Sequence, residues 1–419
     1  MEKIRIGVFG ARRGGVAMRF CREFPDTELV AVCDGNARVL ERRRAEYPDK
    51  SIGFYSDFDS FIKHPMDAVV LANYATEHAP FAIRAMRAGL DVMSECLPCQ
   101  TPKEAVELIE TAEQTGRKYC YLENFCYMPA TAEMRRLFRA GKLGEFRYGE
   151  GEYIHNMETL MPDITYGQRD HWRNHISALF YCSHSVGPLL HISGLRPVEV
   201  TGYELPRTAL QERVGAMSGG GGILMIRLEN GAVVKSIQGA LYRNSEWFCA
   251  YGSKGRAESA REDADNGGVS RLYLNADNYE GEYAPEPVLS YRPTRPRHWD
   301  SNGYAHGRGD WYCLFNAVEY LRGDLTADVL DVYEAVDIAL TGQFGYFSVL
   351  DGGKPKKIPD FRKRKVRDKY RNDTRCTDPK VAGEQLLPSC SEGDREIPDE
   401  VYRAIRAKYL EDQIDHSVL

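Results

Sequence analysis

No stretch of this sequence reaches the roughly 18–20 consecutive apolar residues of a membrane-spanning helix, and Met1-Glu2-Lys3 leads into a strand-like run with no signal-peptide h-region. A soluble, cytoplasmic protein without a membrane partner is the expectation. An excess of positive charge is missing as well. Lys plus Arg is 55 against 61 Asp plus Glu, a net charge of −6, and that balance recommends no nucleic-acid partner. Cysteine comes as an odd number, 11, spread from Cys21 to Cys390 and set mostly in apolar segments. A disulfide framework is thereby disfavoured, and buried free thiols in a reducing compartment are expected. Internal repeats are absent too. Tryptophan is sparse at 4, yet 25 Tyr, 16 Phe and a 43% hydrophobic share supply a real core, and 419 residues suit two or three domains.

The first third alternates short β-branched runs with helical patterns, which is the signature of βαβ units and a doubly wound parallel sheet. Strands are expected at residues 4–9, 28–33, 67–72 and 91–93, with helices over 16–22, 80–88 and 102–115, the last ending at Gly116. From about Tyr148 the pattern turns to strand-like stretches at 148–154, 198–203, 222–228, 232–238 and 247–251, the reading for a second domain with a mainly antiparallel sheet. Helices near 311–321 and 331–341 follow. The expected division is a Rossmann domain over 1–125, a substrate-binding α/β domain over 126–360 and a polar extension over 361–419. The basic run Arg362-Lys363-Arg364-Lys365-Val366-Arg367 in that extension reads as a solvated arm or a subunit contact.

Gly10-Ala11-Arg12-Arg13-Gly14-Gly15 follows the first strand and opens a helix, where a dinucleotide-binding turn belongs. Glycine lets the chain turn tightly and bring backbone N–H groups against a pyrophosphate at a helix N-terminus. Gly10 and Gly15 hold the outer positions of G-x-G-x-x-G; Arg12 replaces the middle glycine. Asp34 closes the second strand about 20 residues on, where a carboxylate accepts from a ribose diol and favours NAD over NADP. Arg12, Arg13 and Arg38 are the residues that could instead draw a 2′-phosphate.

With these residues the sequence resembles the Gfo/Idh/MocA nicotinamide-dependent sugar oxidoreductases, through Gly7-Val8-Phe9-Gly10-Ala11, Val32-Cys33-Asp34, Ala72-Asn73-Tyr74-Ala75-Thr76-Glu77-His78 and the stretch from Ala85 to Glu95. The family's usual E-K-P is altered, since Cys96 and Leu97 separate Glu95 from Pro98 and the lysine is absent. Later strings resemble the glycoside hydrolase family 109 branch, which also departs from E-K-P: Leu122-Glu123-Asn124, Gly151-Glu152-Tyr153-Ile154-His155, Trp172-Arg173, Tyr181-Cys182-Ser183-His184-Ser185-Val186-Gly187-Pro188 and His306-Gly307-Arg308-Gly309-Asp310. No metal is expected, because Cys96-Leu97-Pro98-Cys99 lacks a second pair at ligand spacing.

The resemblance implies a Rossmann domain followed by an α/β domain whose open sheet forms a homo-oligomer contact. It also implies a glycosidase working by transient oxidation at the sugar C3, elimination across C1–C2, water addition and re-reduction. A net sugar dehydrogenase or 3-keto-sugar reductase is the alternative. His184 is the expected acid–base group, since imidazole titrates near neutrality, and Tyr181 three residues earlier would share its helical face. Tyr153 is the expected C2 base, needing a nearby cation to ionise; Arg173 is offered for that charge or for a hydroxyl, with Arg169 and His171 as substitutes. Glu123, His306 and Asp310 are expected at the sugar. Asn73, His78 and Glu95 are expected at the cofactor, at the carboxyl ends of their strands.

Overall fold

The computed structural model describes residues 2–261, 272–276, 289–293, 304 and 308–415. The chain forms two compact units, and it crosses between them more than once. Met1–Met128, Thr294–Val336 and Asp360–Asn372 make the first; Pro129–Pro293, Asp337–Pro359 and Asp373–Leu419 make the second.

The first unit is built on strands β1 (Ile4–Phe9), β2 (Thr27–Cys33), β3 (Gly53–Tyr55), β4 (Ala68–Leu71), β5 (Asp91–Ser94) and β6 (Tyr119–Tyr121). They are all parallel in the order β3-β2-β1-β4-β5-β6, the doubly wound arrangement, with its reversal of direction between β1 and β4. The runs Leu29–Cys33 and Ala68–Leu71 are buried throughout because helices cover both faces of such a sheet. Helix Pro102–Thr115 shows how locally the elements are specified. The Thr101 hydroxyl accepts from the Glu104 amide at 3.1 Å, Pro102 opens the first turn, and Gly116 ends it at φ +64°.

The basic run is not a free arm: its last residue is buried against a helix, while Lys363 and Arg364 stay exposed. Arg367, 1% exposed, grips Glu113 through two bonds of 2.8 and 2.6 Å, and Arg371 grips Glu110 through two of 2.7 Å. Both acids lie on helix Pro102–Thr115, so residues 360–372 are strapped across it.

The second unit holds a nine-stranded sheet of β7 (Phe146–Ile154), β8 (Pro197–Leu205), β9 (Gly221–Leu228), β10 (Val233–Gly239), β11 (Ser245–Gly252), β12 (Gly255–Ser259), β13 (Leu272–Ala276), β14 (Leu289–Tyr291) and β15 (Lys356–Lys357). The order is β14-β13-β12-β11-β7-β10-β9-β8-β15, antiparallel except for the central β7–β10 pair. Helix Ser183–Ser193 presses on one face because β7 offers no side chain there: a Cβ on Gly151 would lie 2.0 Å from the Ser185 carbonyl oxygen. Leu224, Ile226, Val234, Ser236 and Phe248 of that face are buried. All eleven cysteines are buried, and none forms a disulfide. Among the described residues no helix is long and apolar enough to cross a membrane.

Candidate functional site

In the first unit the residues expected at a dinucleotide gather at the carboxyl ends of the parallel strands, beside the β1/β4 reversal. Gly10 sits at φ +89°, and a Cβ there would lie 2.3 Å from the Ala72 backbone, so only glycine lets the turn close against the end of β4. Gly14 supplies the close helix–strand contact, since a Cβ there would meet Val8 at 2.4 Å. Gly15 abuts the Arg43 guanidinium. Arg43 was not singled out in the sequence. Its side chain donates to the carbonyls of Ala11 at 2.9 Å and Arg12 at 3.2 Å, bracing the turn where a glycine is replaced. Only folding brings it there, 31 residues from Arg12, and no local pattern marks it.

Asp34 accepts from the Ala11 amide at 2.8 Å through one oxygen and from the Asn36 amide at 2.8 Å through the other. A carboxylate has about four lone-pair sites, so capacity for a ribose diol remains. Two buried polar atoms at the end of β4, Asn73 Oδ1 and His78 Nε2, have no hydrogen-bond partner among the described residues. The His78 Nδ1 lies 3.0 Å from the Leu97 carbonyl, and burial pulls its pKa down to about 4, so the ring is neutral and Nε2 is an acceptor. These features fit a dinucleotide.

Arg13 pairs with Glu95 at 2.8 Å and with Asp310 at 2.8 Å, and Asp310 also accepts from Asn124 at 2.9 Å. The Glu95 charge, ahead of Asp310, raises the Arg13 pKa against the cost of burial. Arg13 is thus committed to two carboxylates rather than to a 2′-phosphate. Asp310, expected at the sugar, is placed in this cluster. Glu123 is fully buried; it accepts from Cys96 Sγ at 3.1 Å and from the Phe125 amide at 3.2 Å. His306 lies outside the described residues.

The second unit brings Tyr153, Tyr181, His184 and Arg173 together. Gly149 and Gly151 point at helix Ser183–Ser193, and with a side-chain period of two Tyr153 follows on the same face. Its ring lies 4.7 Å from that of His184, edge to face. Tyr181 ends a 3₁₀ turn, Ala178–Tyr181, and His184 belongs to the next helix, so the two are not on one continuous helix; their rings are nonetheless 5.5 Å apart. The Arg173 guanidinium sits over the Tyr181 ring at 4.8 Å and over Trp172 at 5.0 Å. Its charge therefore serves Tyr181 directly. The substitutes are otherwise engaged: Arg169 binds Asp399 and the Ile397 carbonyl, and His171, lowered to about 4 by burial, accepts from the Arg173 amide at 3.3 Å. Next to His184 in the chain, the Ser185 hydroxyl meets that of Ser236 at 2.8 Å and both bond Gln238 Oε1, a buried network that no local pattern marks.

One unit groups two tyrosines, an imidazole and a guanidinium, side chains able to exchange protons and bind hydroxyls, and the other holds a glycine turn that fits a dinucleotide. Comparison with known proteins bears on the first unit and on the fold. The family described as oxidoreductases with an NAD-binding Rossmann fold matches residues 4–123. A protein of Saccharopolyspora erythraea named glycosyl hydrolase family 109 protein is 26% identical over 392 residues, 86% of this chain and 83% of the relative. One of the same name from Shewanella amazonensis is 23% identical over 403 residues, 86% of each. An inositol dehydrogenase homolog of Azotobacter vinelandii, solved with NADH and myo-inositol, shares the fold at TM-score 0.67 and 17% identity, covering 85% of this chain and 98% of that one.

Proposed function

With residues 4–123 belonging to the oxidoreductase family that has an NAD-binding Rossmann fold, we propose that the chain is an NAD-dependent enzyme that cleaves a glycoside with no net change of redox state. The observation that carries this reading is the close grouping of Tyr153, Tyr181 and His184 in a chain whose relatives bear the glycosyl hydrolase name. NAD supplies, when bound, an acceptor for one hydride that is handed back to the sugar at the end.

The chain's own groups manage protons. An imidazole nitrogen of His184 takes the proton of the hydroxyl being oxidised and later returns it. While it holds that proton, the imidazolium, its ring 4.7 Å from that of Tyr153, favours the phenolate that removes the proton on the neighbouring carbon. Tyr181, under the Arg173 guanidinium, is biased to donate a hydrogen bond to a sugar oxygen. Gly10, Asp34, Asn73 and His78 hold the dinucleotide, and the Arg13–Glu95–Asp310 cluster fixes the glycine turn. The outer face of the second sheet pairs with a second copy of the chain.

The test is to give the purified protein a panel of chromogenic α- and β-glycosides without added cofactor. Aglycone release with no lasting NADH absorbance, and solvent deuterium at C2 of the product, is the expected result. Stoichiometric NADH would instead make it a net dehydrogenase, and no turnover with no bound nucleotide would overturn both.

A further inference from the structure

Arg173 is carried by a segment that is held from outside. Helix Met161–Thr165 ends at Tyr166, φ +55°, followed by Gly167 at φ +65°. A left-handed tyrosine is unfavourable and persists only where neighbours impose it. Those neighbours come from the C-terminal helix, Asp399–Asp415. Arg406 donates to the Tyr166 carbonyl at 3.1 Å, Tyr409 meets the Tyr166 ring at 5.0 Å, and a Cβ on Gly167 would lie 2.6 Å from the Tyr402 carbonyl oxygen.

Two residues on, Arg169 links this helix to the site. Its guanidinium pairs with Asp399, donates to the Ile397 carbonyl at 2.8 Å and lies over the Tyr402 ring at 4.7 Å. Tyr402 is itself fixed by a 3.0 Å bond to the Gly215 carbonyl. The Arg169 carbonyl accepts from Asn174 at 3.1 Å and faces His175 Nε2 at 3.2 Å, which shapes the turn Trp172–His175. One residue thus joins the C-terminal helix by its side chain and the Arg173 turn by its backbone.

We propose that the C-terminal helix is a positioning element of the substrate site and that Arg169 is the positioning residue through which it sets Arg173. The proposal deepens the reading above and rests on it for its kinetic arm only. In the full-length protein, Arg169→Ala and Tyr402→Leu are compared with Arg169→Lys by steady-state kinetics, bound NAD content and backbone amide exchange. The expected result is a KM about tenfold higher with kcat nearly unchanged, as for loss of ground-state binding. NAD content stays the same, Trp172–His175 amides exchange faster, and Arg169→Lys recovers most of the KM. A KM within about twofold of the parent, with Arg169→Ala still folded, overturns the proposal. Should no sugar be turned over at all, the function fails, and the amide exchange still decides: unchanged protection at Trp172–His175 overturns the positioning role.

Discussion

At the scale of single residues, the 4.7 Å approach of Tyr153 to His184 makes their loss unequal to a packing defect. Removing either proton carrier, as in His184→Ala or Tyr153→Phe, should lower kcat by roughly 10²–10⁴-fold while bound NAD is retained. A stopped assay with unchanged nucleotide content would show this; loss of the nucleotide together with activity would count against it. His78 gives a prediction about pH. Its folded-state value of about 4 lies below the ordinary 6.5, because burial disfavours the charged ring. The stability it contributes is therefore whole above pH 6.5 and is lost as pH falls toward 4, amounting to roughly 3 kcal/mol. Thermal unfolding at pH 7 and pH 4.5 should show a smaller acid loss for His78→Gln than for the parent chain. Which residues could be read in advance follows from range. Tyr181 and His184 fall in one short string that the family resemblance marks, and Asp34 closes a strand at motif spacing, so each is marked by its own stretch of chain. Asp310 meets Arg13 across 297 residues, and nothing near Asp310 in the chain says so.

At the scale of elements, the strap over helix Pro102–Thr115 has a measurable worth. Arg367 is almost fully buried and bidentate to Glu113, so Arg367→Ala leaves that carboxylate with Tyr333 at 2.6 Å as its nearest donor. A loss of roughly 2–3 kcal/mol is expected, below the usual range for a buried pair because the Glu113 side chain is 25% exposed. It should persist at high salt, since buried pairs are poorly screened. Denaturant midpoints of Arg367→Ala with and without added salt check both parts; a loss that disappears in salt would assign the contact to the surface. Helix Pro102–Thr115 was legible to the residue because cap, proline and terminal glycine are all local. The strap was not. Five basic residues in six read as solvated when the acidic partners, Glu110 and Glu113, lie some 250 positions earlier and carry no mark of pairing. The same holds for the Arg169 linkage, where the sequence offered a spare substrate ligand and the fold uses the residue as a tie to the C-terminal helix.

At the scale of the molecule, the second sheet is clothed unevenly. Along β8 to β11 alternate residues are buried under helices, while their neighbours on the other face stay half open. That outer face carries Tyr203 at 60%, Met225 at 39% and Tyr251 at 38% exposure, with Trp247 and Ile237 half-buried. Ion pairs run between strands within it, including Lys235 with Glu150 at 2.7 Å and Arg261 with Glu152 at 2.8 Å. Large apolar side chains evenly interspersed with internally neutralised charge suit a self-complementary contact, and a stable one buries about 800 Å² on each partner. Light scattering of the purified protein should therefore give a dimer or larger assembly at micromolar concentration. The double substitution Tyr203→Glu with Met225→Glu sets like charges facing each other across such a contact and should shift the protein toward monomer. Tyr153 and His184 belong to the opposite, helix-covered face, so a folded monomer of this variant should keep its bound NAD and its kcat. A parent chain that is already monomeric at that concentration would remove the dimer and leave the acid–base cluster untouched.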